Sequence, residues 1–205
     1  MQSFHMGTYA ESAFHEKTSG KTTPGKSTRL ALVAVFSAVI AVCTMIRVPL
    51  PPPLYEITLA PAVYLALAAL VDKWDAFSAT AIGGFVGELF NITTTGGGSP
   101  IYPFGMIWAR GPEALIVAWA ATRGRKTLAW AMVAATVYET LAFFFPDWLF
   151  YTYGLFQYGS PTTAYAALVL ASYDFATLLD LAFIPVAFGI IAAAAPTFRR
   201  LGYRS

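Results

Sequence analysis

Five ionisable residues stand inside long apolar runs of this chain: Glu88, Arg110, Glu113, Glu139 and Asp174. Their types suit solute recognition and ion pairing. Carboxylates attract cations and accept from N–H donors, while a guanidinium presents a planar fork of donors to an anion or a carboxylate. Four acids against one arginine describe a polar pocket biased toward a cationic or zwitterionic ligand. Trp108, Tyr138 and Tyr173 neighbour these charges, and Trp148 and Tyr151 lie in an aromatic stretch nearby. Such rings stack on heterocycles and hold cations over their faces, although an interfacial belt is the default explanation of the aromatic stretch. Pro112 has no N–H to give the carbonyl of Trp108, which leaves an acceptor free to face a ligand.

A structural reading stands beside each of these. Arg110 and Glu113 are i and i+3 on one helical face and neutralise each other if they pair. Asp180 lies further along the last apolar segment, where helix pairing or the inner face is its expected place. Enzyme chemistry finds little support. No histidine falls in an apolar run, Cys43 stands alone, and Gly96-Gly97-Gly98 leads into Ser99-Pro100 without the lysine of a phosphate loop, so that stretch reads as a flexible outer loop. No cofactor and no metal site are expected.

The elements that must position these residues follow from composition. With 57% hydrophobic residues and only 13 Lys/Arg and 11 Asp/Glu in 205 residues, the chain lacks the charge to cover a soluble surface. An all-α, polytopic membrane protein is expected, and the net charge of +2 gives no reason to expect nucleic acid. Apolar segments at 30–46, 57–71, 76–91, 104–122, 127–145 and 165–194 predict a bundle of six transmembrane helices in a domain spanning 29–205, preceded by a mobile cytoplasmic tail over 1–28. Pro49 and Pro51 to Pro53 predict a stiff, extended connection over 47–55.

With the amino terminus inside, Lys17, Lys21, Lys26, Arg29, Lys73, Arg123, Arg125, Lys126, Arg199, Arg200 and Arg204 all face the cytoplasm, and Arg47 faces out. Both termini are therefore expected to be cytoplasmic, in a multi-pass protein of the cell membrane. Counting about 1.5 Å per helical residue then places Arg110, Glu113, Glu139 and Asp174 roughly 9 to 14 Å below the outer boundary, with Glu88 near the outer end of the third helix. The pocket they form would open outward.

On the first helix Ala34, Ser37, Ala38 and Ala41 give overlapping small-xxx-small spacings that let another helix approach closely. Six spans, Ala34-x-x-x-Ala38, a proline-containing outer loop, glycines in the third span and polar residues in the fourth to sixth together resemble the substrate-binding S subunits of energy-coupling factor (ECF) transporters. The likeness covers about residues 29 to 204. It implies that Ala34 and Ala38 dock on a transmembrane coupling subunit driven by two cytoplasmic ATPases, and that the ligand pocket lies on the outer side among the last three helices. It further implies that Glu113, in Pro112-Glu113-Ala114-Leu115, sits where thiamine-binding members contact a cation, and that Asp174 matches a ligand-contacting position. The expected function is capture of a small vitamin-like compound, without enzymatic activity. The alternative is an accessory structural subunit of a larger membrane complex, its buried charges serving as ties between helices.

Overall fold

The computed structural model describes residues 24–49, 56–95, 99–156 and 159–203. The chain runs α1 (Lys26–Met45), β1 (Arg47–Pro49), β2 (Glu56–Thr58), α2 (Ala60–Leu70), α3 (Lys73–Thr95), α4 (Tyr102–Trp108), α5 (Arg110–Ala121), α6 (Arg125–Tyr153), α7 (Ala164–Ala171), a 3-10 segment (Ser172–Phe183) and α8 (Ile184–Arg200). The six expected helical segments appear as six rods, because α4 with α5, and α7 with the 3-10 segment and α8, each continue one another. Among the described residues three helical stretches, Lys26–Met45, Arg125–Tyr153 and Ala164–Arg200, are long and apolar enough to cross a membrane.

Three boundaries depart from the sequence reading. α1 begins at Lys26, inside the segment expected to be tail. The flanks of the proline loop pair as an antiparallel ribbon, with Arg47 opposite Thr58 and Val48 opposite Ile57, so the fold is not purely helical. Pro51 to Pro53, Gly96 to Gly98 and Arg204 lie outside the described residues, as does most of the expected amino-terminal tail. α6 continues eight residues beyond Phe145, through Pro146, and stops at Gly154. That glycine takes the left-handed conformation (φ 62°) that closes a helix end, and Leu155 N–H bonds back to Phe150.

α2 is the central rod. It is apolar on all sides, and nine of its eleven residues are buried, as expected of a helix surrounded by others. α1 lies against α3 at very short range. A Cβ on Gly83 would stand 2.7 Å from the Ser37 carbonyl oxygen, and one on Gly87 would stand 2.8 Å from that of Ala41. Only glycine permits this approach, which replaces the hydrophobic drive that lipid cannot supply.

Charge closes both ends. At one end the Arg29 guanidinium forks onto Asp75 (Nη2 to Oδ1 2.8 Å, Nε to Oδ2 2.9 Å), and the Tyr203 hydroxyl donates to Asp75 Oδ2 at 3.3 Å. The start of α1, the start of α3 and the segment after α8 therefore share one end of the bundle. Burial and then the Asp75 carboxylate push the Tyr203 hydroxyl up to about 12. At the other end Arg47 Nη2 meets both oxygens of Glu88 at 2.9 to 3.0 Å, and Asn91 Nδ2 donates to Glu88 and to the Thr44 carbonyl.

Candidate functional site

Two prolines shape the site. The rod formed by α4 and α5 breaks at Ala109 (φ −94°, ψ −65°), because Pro112 cannot bond the carbonyl of Trp108. That carbonyl accepts from the Tyr138 hydroxyl at 2.8 Å, so it is already occupied rather than free for a ligand. Pro146 likewise withholds a donor from the carbonyl of Ala142, which accepts from the Trp108 indole N–H at 3.1 Å. Each proline thus exposes an acceptor that the opposite helix satisfies, and the two bonds lace the break in the fourth rod to α6. Gly111 completes the arrangement: a Cβ there would stand 2.6 Å from the Phe77 ring, so α5 can lie tight against α3 with Arg110 facing inward.

Arg110 pairs with Glu139 and not with its i+3 neighbour Glu113. Its Nε donates to Glu139 Oε1 at 2.8 Å, and its guanidinium lies 5.5 Å from the centre of the Tyr64 ring. The Tyr64 hydroxyl, from the central rod, donates to the other Glu139 oxygen at 3.2 Å and also faces Glu113. Thr136 shares its hydroxyl between Glu113 Oε1 (3.4 Å) and the Met132 carbonyl (3.1 Å). Asp180 stands within electrostatic reach of Arg110, Glu113 and Glu139. All of these side chains are buried, and Tyr64, Glu113, Thr136 and Glu139 are completely so.

This centre is not internally satisfied. Arg110 Nη1 and Glu113 Oε2 are both buried and without a hydrogen-bond partner. A buried donor and a buried acceptor left open in one cluster each cost about 1 to 3 kcal/mol or more, and a molecule offering the complementary pair of groups would recover that loss. Three carboxyl groups, those of Glu113, Glu139 and Asp180, gather around the one guanidinium.

Asp174 and Glu88 fall elsewhere. Glu88 is held by Arg47 and Asn91 at the far end of α3. Asp174 faces Asp147, and its Oδ2 is buried without a partner. The acids expected at one depth are therefore divided by position, for two physical reasons. With α6 ending at Tyr153, Glu139 lies fourteen residues, about 21 Å, from the helix end. The 3-10 segment, with its longer rise and three residues per turn, carries Asp180 to that same level.

The same segment lines up Asp174, Thr177 and Asp180 at intervals of one 3-10 turn. Each meets a polar residue of α6: Asp174 faces Asp147, Thr177 Oγ1 lies 2.6 Å from Thr140 Oγ1, and Asp180 faces Glu139. A polar ladder thus joins the upper acidic pair to the buried centre. Tyr64, Thr136, Asp147 and Asp180 belong to this arrangement, and the sequence does not mark them as ligand residues. Asp180 carried the one available signal, an ionisable residue within an apolar run.

The aromatic residues mainly hold loops. The Trp148 indole donates to the Ala164 carbonyl at 3.1 Å, joining α6 to the start of α7, and the Tyr151 carbonyl accepts from the N–H and the hydroxyl of Thr162. Ser99 Oγ bonds the Phe156 carbonyl, which draws the entry to α4 under the same loop. Tyr173 lies half-buried in the 3-10 segment, beside Asp174 in sequence. The expected docking residues separate in the same way. Ala34 and Ala38 are exposed, whereas Ser37 and Ala41 are buried against α3 and so belong to packing within the bundle.

The fold and this buried centre define a helical membrane bundle with a polar core. More particularly, the chain has the fold of the S component of a bacterial ECF transporter. The solved structure of that component covers 86% of this chain and 99% of its own, with a TM-score of 0.60 and 17% sequence identity. No family model and no curated protein matches the sequence.

Proposed function

We propose that this protein is the solute-binding S component of an ECF-type importer. In this reading it captures a small vitamin-like compound, cationic or zwitterionic and heterocyclic, from the outer side, and passes it inward when ATPases act on a shared coupling subunit. One observation carries the reading: within an S-component fold, Arg110 Nη1 and Glu113 Oε2 stand buried and unpartnered in a centre with excess acid. Glu113 would meet the positive group of the solute and Arg110 its electron-rich atom, while Glu139 and Tyr64 hold the guanidinium in place. Trp108, Tyr138 and Tyr173 border the entry. Asp174, with Asp147, would meet the solute on its way in, and Glu88, Trp148 and Tyr151 would act on the outer end that closes over it.

The six rods would cross the cell membrane with both termini cytoplasmic, since the end holding Arg29 and Tyr203 also carries Lys73, Arg123, Arg125 and Lys126. Ala34 and Ala38 would receive the transmembrane coupling subunit on the exposed face of α1, and two cytoplasmic ATPases would act through that subunit. The role is binding rather than catalysis.

The test is a thermal-shift screen of the purified protein against vitamins and their precursors. A single cationic or zwitterionic compound should stabilise the wild type, and Glu113→Gln should diminish that shift. The ion pairs Arg110–Glu139, Arg47–Glu88 and Arg29–Asp75 favour the structural-subunit reading instead if no compound stabilises the protein and it purifies only within a larger complex.

A further inference from the structure

A groove with a cavity volume of about 660 Å³ lies away from the buried centre, between the first turns of α6 and α8. Arg125 and Lys126 line one side, and Ala129, Ile184, Pro185 and Phe188 form an apolar floor; no carboxylate lines it. The Arg125 guanidinium already lies 5.4 Å from the centre of the Phe188 ring, which draws the charge over the floor. The surroundings fix the level of this groove relative to lipid. Trp74, Trp119 and Trp130 sit at the same end of the bundle, at the start of α3, the last turn of α5 and the second turn of α6, and are 58%, 55% and 74% exposed. Tryptophans placed so belong at the boundary between headgroups and acyl chains. Arg123 stacks on Trp119 at 3.5 Å in the same band.

We infer that this groove binds one anionic phospholipid. Its phosphate sits between Arg125 and Lys126, and an acyl chain runs over Ala129, Ile184, Pro185 and Phe188. Two cations without an acidic neighbour in the groove attract a phosphodiester, and the uncapped start of α6 adds partial positive charge on the same side. The apolar floor selects a lipid over free phosphate, because inorganic phosphate would leave it uncovered.

Wild-type protein purified in detergent with equal parts phosphatidylglycerol and phosphatidylcholine should retain phosphatidylglycerol with a preference of about tenfold, read by native mass spectrometry. The double variant Arg125→Gln, Lys126→Gln should fall to parity. Ala129→Trp, which fills the floor and keeps both charges, should also lose the lipid. Circular dichroism and the thermal response to the solute of the buried centre report folding independently, so this site can fail without the proposed function failing. Equal retention of both lipids by the wild type, undiminished phosphatidylglycerol on either variant, or stabilisation by millimolar inorganic phosphate equal to that by lipid would overturn the assignment.

Discussion

At the scale of single residues, what matters is which atoms are left without partners. Glu113 is buried with one oxygen bonded to Thr136 and the other open. Glu113→Gln removes the charge and keeps the shape, so solute affinity should fall about 10- to 100-fold by isothermal titration, the loss expected for a charged hydrogen bond. Glu139 does different work, because both of its oxygens are engaged by Arg110 and Tyr64. Glu139→Leu strands the buried guanidinium and should cost about 3 to 5 kcal/mol in unfolding experiments, and adding Arg110→Met should restore most of it. If the double variant is as unstable as the single, the pair is not the tie its geometry indicates. Tyr203 supplies a pH-dependent contact at the opposite end. Its hydroxyl titrates at about 12 instead of 10.0, so its bond to Asp75 stabilises fully below pH 10 and is lost as the pH rises to 12. The thermal midpoints of wild type and Tyr203→Phe should therefore converge over that interval.

At the scale of elements, the rods were legible in sequence because hydropathy reports directly on runs of apolar residues. The position of charge along them was not. A uniform helical rise and an α6 ending at Phe145 misplace these charges where proline or 3-10 geometry intervenes. Arg110, Glu113 and Glu139 stand out by their chemistry, since an ionisable residue in an apolar run needs a partner wherever it sits. Tyr64 was hidden, because a tyrosine in the apolar run of α2 looks like ordinary core until its hydroxyl is seen to reach Glu139. The small residues of α1 were likewise legible as a pattern, while their division between two neighbours depended on Gly83 and Gly87. Gly87→Ala should cost about 1 to 3 kcal/mol in thermal unfolding, because the new methyl group would meet Thr44 and the Ala41 carbonyl.

At the scale of the whole molecule, α1 presents two edges. One is sealed to α3, and the other carries Ala34 and Ala38 on the surface. Ala34→Trp and Ala38→Trp should abolish co-purification with a coupling subunit and leave solute binding intact, whereas Ala41→Trp should impair folding itself. Topology has its own test: a carboxy-terminal fluorescent-protein fusion should glow and a phosphatase fusion stay inactive if the end holding Tyr203 faces the cytoplasm. The 3-10 segment bears on the molecule as a whole. Twelve residues wound at about 2.0 Å each are roughly 6 Å longer than the same residues wound as an α-helix. Rewinding would behave like a screw: it would draw α7 toward α8 and swing Asp180 about 120° away from the line of Asp174, parting the two rungs that now face α6.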